Sequence, residues 1–100
     1  MARRARGQGS WRQLLVACQR EGRLEVIRRL EAVHQVYERW EATAWGEPEQ
    51  HARARRLRQI CLRQDETLIT LRQLTDEDIA QALETGVVRV SGVDPGGGQQ

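Results

Sequence analysis

The 100-residue sequence contains no Phe and no Lys, and it has only two Cys and two Pro. With four aromatic residues in total, a core must be built mainly from Leu, Ile, Val and Ala. Cys18 and Cys61 are too few for the disulfide framework of a small secreted domain. No run of about 18 apolar residues is present, so we predict no membrane span and no membrane partner.

The first seven residues contain three Arg but no following hydrophobic run, which is not the pattern of a secretory signal. We therefore expect a cytoplasmic protein whose thiols are reduced. An Arg-rich organelle transit peptide is the alternative, and the acidic residues that soon follow argue against it.

All sixteen basic residues are Arg, and their distribution is uneven although the net charge is only +2. Residues 1–23 carry six Arg and one Glu, whereas residues 75–100 carry one Arg and five acidic residues. Codon usage is one explanation for the absence of Lys. Recognition of phosphate or carboxylate is another, because the planar guanidinium binds these groups through two hydrogen bonds.

Local signals divide the chain into an arm, one helical domain and a tail. Residues 1–9 are predicted to form a flexible basic arm, and Ser10 is a candidate N-cap for a helical domain over residues 10–86. Gly22 and Gly46 are candidate helix breaks, and Pro48 suits the first turn of a helix. The valines after Gly86 favour an extended segment, so residues 87–100 are predicted to be extended and then a disordered Gly-rich tail.

Two long stretches show the heptad pattern of a helix that packs along one face. In the first stretch the pattern consists of Val26, Leu30, Val33, Tyr37, Trp40 and Ala44. In the second it consists of Ala54, Leu57, Cys61, Gln64, Leu68 and Leu71. The predicted fold class is therefore all-α, with a long antiparallel helical hairpin of the coiled-coil type and short flanking helices.

Leu62 and Ile69 are seven residues apart and lie well away from the second heptad stripe. A single hairpin would leave both exposed to water, so either the short flanking helices or another chain must cover them. We favour a helical bundle that is completed by oligomerisation. The tentative interface comprises Leu30, Val33, Tyr37, Trp40, Leu57, Cys61, Leu62, Leu68 and Ile69.

No pattern of catalytic or ligand-binding residues is evident. The only His and Cys residues are Cys18, His34, His51 and Cys61, and their spacing matches no pair of zinc ligands. The Gly-rich segment lies in the terminal tail with no helix after it, so it is not a phosphate-binding loop. We predict that the protein is not an enzyme and has no metal, cofactor or small-molecule substrate.

A basic stretch supports an alternative function. Residues 50–64 contain five Arg and no acidic residue, and three more Arg lie in the arm. One interpretation is a solvated helix face. The other is a surface that follows a nucleic-acid backbone with weak sequence specificity. The tentative nucleic-acid-binding residues are Arg3, Arg4, Arg6, Arg53, Arg55, Arg56, Arg58 and Arg63.

The sequence thus favours a non-enzymatic interaction or assembly module that forms a homo-oligomer or docks on a partner protein. The alternative is a nucleic-acid-binding accessory protein. We recognise no family resemblance, and a helical fold does not by itself specify a function.

Overall fold

The computed structural model describes residues 2–91, and it describes side chains for residues 11–91. Within this range the chain is helical and contains no β-strand, which confirms the all-α prediction. The helices are α1 (Ala2–Glu21), α2 (Arg23–Trp45), α3 (His51–Gln73) and α4 (Asp76–Thr85). A short 3-10 helix, Pro48–Gln50, leads into α3.

The helix ends follow local chemistry. Gly22 separates α1 from α2 with a φ of 102°, a left-handed conformation that favours glycine. Pro48 occupies the first turn after Glu47, where its missing N–H costs no hydrogen bond. The predicted breaks at Gly22 and Gly46 and the predicted role of Pro48 are therefore confirmed.

Both ends of α4 are capped. The Thr75 hydroxyl accepts from the Asp78 N–H, and the Asp78 carboxylate accepts from the Thr75 N–H, each at 3.0 Å. This reciprocal capping box satisfies two backbone donors at the start of the helix. At the other end, Gly86 adopts a left-handed conformation and its N–H donates to Ala82 O at 2.8 Å.

The first helix differs from the prediction. Its backbone is helical from Ala2, so residues 2–9 of the arm that we predicted over residues 1–9 belong to α1, and Ser10 lies inside a helix instead of capping one. Ala, Arg and Gln favour helices, and each interior Gly costs only about 1 kcal/mol relative to Ala. The tail beyond residue 91 lies outside the described residues.

The chain divides into two compact units. We call Ile27–Ile69 the central unit, and Met1–Val26 together with Thr70–Gln100 the terminal unit. The single domain that we predicted over residues 10–86 stays a prediction.

In the terminal unit, α1 packs against α4. The Arg12 guanidinium donates to Leu83 O at 3.4 Å. The buried apolar residues of this unit are Leu15, Cys18, Val26, Leu71, Leu74, Ile79 and Ala82.

In the central unit, the buried residues come from one stripe of α2 and one stripe of α3. Ala44, Ala54 and Leu57 form a cluster against which Tyr37 packs. The stripe on α3 is the predicted one, because Ala54, Leu57, Cys61 and Leu68 are buried and Gln64 is half-buried.

The buried stripe on α2 differs from the predicted one at two positions. Val33 and Trp40 are 47% and 49% exposed, whereas the next residues, His34 and Glu41, are buried and half-buried. A rotation of about 50°, half of the roughly 100° between successive residues, leaves Leu30, Tyr37 and Ala44 in both stripes. The hydrophobic pattern therefore could not choose between them.

No helix within residues 2–91 combines the length and the apolar character needed to cross a bilayer.

Candidate functional site

His34 lies at the centre of a polar cluster between α2 and α3. Its Nδ1 is 2.7 Å from Oε1 of Gln64, and its Nε2 is 3.0 Å from Oδ1 of Asp65 and 3.3 Å from Oε2 of Glu38. The imidazole is buried, so these partners replace the water that its two nitrogens would otherwise bind. Both helices contribute to the cluster, which makes their register specific.

A second polar cluster lies two turns further along α2, around Glu41. The Glu41 carboxylate accepts from Trp45 Nε1 at 2.9 Å and from Arg58 at 3.4 Å. It also hydrogen-bonds to the Cys61 thiol. Sequence reasoning missed both clusters, although the seven-residue spacing from Ile27 to His34 to Glu41 is the signal that could have revealed this stripe.

Both thiols are buried and free. Burial raises the pKa of Cys61, and the neighbouring Glu41 raises it further. Burial also raises the pKa of Cys18, against the smaller opposing effect of Arg23. Each thiol is therefore held in its neutral form, which is the poor nucleophile, and serves as a packing group.

The predicted interface residues divide into three groups by burial. Leu57, Cys61 and Leu68 are buried, so their side chains are already covered. Leu30 and Tyr37 are half-buried. The exposed group, available to another molecule, consists of Val33, Trp40, Leu62 and Ile69.

Leu62 and Ile69 are exposed, as the helical wheel predicted, by 46% and 53%. We call them the outer apolar pair. They lie on the side of α3 that carries Arg58 and Asp65, because positions four residues apart share a helix face. Arg58 and Asp65 contact α2 residues, so the pair borders the polar clusters.

The opposite side of the central unit has a shallow groove of about 200 Å³. Leu30 and Val33 of α2 contribute apolar surface, as does Ile60 of α3. The remaining lining residues are Arg63, Gln64 and Thr67. We call this feature the basic-apolar groove.

Aromatic surface lies on the same helix as the groove. The rings of Tyr37 and Trp40 have centroids 5.1 Å apart and are tilted by 53°. Trp40 was predicted to lie in the heptad stripe and in the interface; half of its surface is exposed on this chain, and its place in an interface stays a prediction.

The predicted Arg residues of α3 do not form one uniform surface. Arg53, Arg55, Arg56, Arg58 and Arg63 are all exposed. Arg58 pairs with Glu41 of α2, whereas Arg63 lines the basic-apolar groove on the other side. The side chains of the other predicted residues, Arg3, Arg4 and Arg6, lie outside the described set.

The terminal unit has a polar pocket of about 260 Å³ beside α4. Asp78, Gln81 and Arg89 are among its lining residues. Hydrogen bonds from Ser91, and then from the backbone N–H of Thr75, lower the pKa of Asp78. The Asp78 carboxylate therefore accepts hydrogen bonds both from the start of α4 and from the segment after α4.

Among the described side chains, no three His, Cys, Asp or Glu residues are arranged to hold a metal ion. The residues described above can pack, pair charges and present apolar surface to another molecule. No family model, no curated protein and no solved structure matches this chain.

Proposed function

We propose that this chain is a non-enzymatic helical interaction module that self-associates or docks on a partner protein. The observation that carries the proposal is the exposure of large apolar side chains on both sides of the central unit, at Val33, Trp40, Leu62 and Ile69. Apolar residues gathered on a surface favour association, because burial of apolar area against another molecule releases bound water.

The proposal includes an antiparallel hairpin of α2 and α3. His34 contacts Gln64, and Glu41 contacts Arg58, so residues with higher numbers on α2 contact residues with lower numbers on α3. Ala44 and Ala54 pack together near the connection, which supports the same course. A second hairpin packed on this one would complete a helical bundle.

The outer apolar pair is the proposed contact for self-association. Covering the exposed halves of Leu62 and Ile69 would stabilise a complex by about 1 kcal/mol for each residue. Neighbouring apolar contacts of the second chain must supply the rest of the binding free energy.

Light scattering on the variant L62E/I69E tests this assignment. We expect the unmodified chain to have a mass that is a multiple of 11.5 kDa, and the variant to shift towards 11.5 kDa. The matched control is A42E/A52E, which adds the same charge at exposed alanines. An unmodified chain that is monomeric, or a control that dissociates as completely as the variant, would contradict the assignment.

The alternative function is nucleic-acid binding by the Arg-rich stretch of α3. All five Arg side chains are exposed, which favours this alternative. Of these five, only Arg58 pairs with a carboxylate among the described residues. Such contacts would go to phosphate, so affinity would fall steeply with salt. The variant R55Q/R56Q/R58Q/R63Q should weaken binding to DNA and RNA oligonucleotides of many sequences alike, and unchanged retention would reject the alternative.

The cytoplasmic location is also a proposal. Cys18 and Cys61 are free in the structure, which is compatible with a reducing compartment.

A further inference from the structure

We infer that the basic-apolar groove binds an acidic amphipathic helix of a partner protein. This inference rests on the proposed function and names the partner chemistry for one surface of the module. It differs from self-association, which we assign to the outer apolar pair on the other side of α3.

The groove has the surface that an amphipathic helix needs. Leu30 and Val33 form one wall and Ile60 the other, and the polar Gln64 and Thr67 complete the lining. A helix laid between two helices places its own apolar stripe in such a groove, with residues at i, i+3, i+4 and i+7 as the anchors. The exposed Val33 is the most accessible apolar residue of the lining.

The charge around the groove selects an acidic partner. Arg63 lies in the lining, and Arg56, seven residues earlier on α3, shares its helix face. Arg53 continues the same face, one turn before Arg56. Carboxylates that flank the apolar stripe of a partner helix would pair with these exposed guanidinium groups.

The groove side of the central unit carries no acidic residue at the positions that form it. The lining residues are Ile60, Arg63, Gln64 and Thr67 on α3 and Leu30 and Val33 on α2. The acidic residues that contact the other helix are Glu41 and Asp65. Glu41 contacts Arg58 and Asp65 contacts His34, outside the groove lining. The groove therefore keeps one sign of charge, which repels a second basic groove and argues against a symmetric pairing of two copies there.

The test uses the full chain and a synthetic peptide of about three heptads. The peptide has Leu at positions a and d and Glu at positions e and g, and a matched peptide has Lys in place of Glu. Fluorescence anisotropy of the labelled peptides is measured below the concentration at which either peptide self-associates. We expect the Glu peptide to bind at least about tenfold more tightly than the Lys peptide, with a difference that shrinks as salt rises.

Two pairs of variants locate the binding site. V33E places a carboxylate in the groove and should weaken the Glu peptide at least about tenfold, whereas A42E, at an exposed residue outside the groove lining, should not. R63E should reverse the preference between the two peptides, whereas R55E, outside the groove lining, should not. Circular dichroism of each variant checks that the helices are retained.

Equal affinity for the two peptides, or equal effects of V33E and A42E, would overturn the inference. If V33E abolishes self-association, the groove binds a second copy of this chain. If a single-stranded oligonucleotide displaces the Glu peptide, the groove binds nucleic acid. Either result overturns the inference. The proposed self-association and the proposed binding of an acidic helix can fail independently. A monomeric chain that binds the Glu peptide would contradict only self-association. An oligomer that does not bind the Glu peptide would contradict only the binding of an acidic helix.

Discussion

His34 links α2 to α3 through polar contacts, because both of its nitrogens face oxygen atoms of other side chains. Gln64 lies on one side of the ring and Asp65 on the other, and both belong to α3. A buried polar group that loses its partner costs more than the hydrogen bond contributes when it is made. This asymmetry makes the cluster a strong determinant of register.

We predict that the substitutions H34L and Q64L are strongly non-additive. H34L leaves the half-buried Gln64, and Q64L leaves Nδ1 of the buried His34, without this hydrogen bond, and each change should lower the free energy of unfolding by about 1–3 kcal/mol. The double variant removes both groups, and its loss should be smaller than the sum by about 1 kcal/mol or more. Urea denaturation at one fixed protein concentration measures all three values, and additive losses would show that the two residues are not coupled.

Asp78 gives the terminal unit a predicted dependence on pH. Its pKa is lowered in the folded chain, so its stabilisation is fully present above the ordinary Asp value and is lost as the pH falls through the lower folded value. The melting temperature should therefore fall between about pH 5 and pH 2. The D78N variant should be less stable at neutral pH, with a gap that narrows in acid, and a gap that stays constant would contradict this role for the carboxylate.

For the helices, the sequence predicted the features that depend on neighbouring residues better than those that depend on contacts with another helix. Gly22, Gly46 and Pro48 mark helix ends because each acts through its own backbone or nearest neighbours. The heptad pattern of α2 did not reveal which stripe is buried. That choice depends on the α3 side chains that meet His34, and hydrophobic periodicity carries no information about such hydrogen bonds.

In the candidate site, too, the sequence predicted some features and not others. The exposure of Leu62 and Ile69 followed from their angle on the helix, and the structure agrees. The groove could not be predicted, because its walls come from two helices and its shape depends on which stripe of α2 turns inward. Val33 and Trp40 became surface residues for the same reason.

The start of α4 offers a prediction about one element. T75A removes the hydroxyl that accepts from the Asp78 N–H, and it should lower the free energy of unfolding by about 1 kcal/mol. T75S keeps an oxygen in the same place and should retain most of the stability. Thermal denaturation followed by circular dichroism compares the two, and equal losses would mean that the Thr75 hydroxyl does not cap the helix.

For the whole molecule, the central unit has two unlike surfaces. One carries the outer apolar pair beside mixed charges, and the other carries a groove whose charged lining residue is Arg63. Two surfaces of different chemistry allow one chain to associate with itself and to hold a different helix at the same time. A self-associated module would also present several grooves, which strengthens the binding of a repeated partner.

The central claim is that the exposed apolar residues serve to bind another chain. Sedimentation equilibrium over a wide range of protein concentration, with helicity followed by circular dichroism at the same concentrations, tests it most directly. The account predicts a mass above 11.5 kDa that decreases towards that value on dilution. A mass of 11.5 kDa at every concentration, with unchanged helicity and no binding of the Glu peptide, would contradict it.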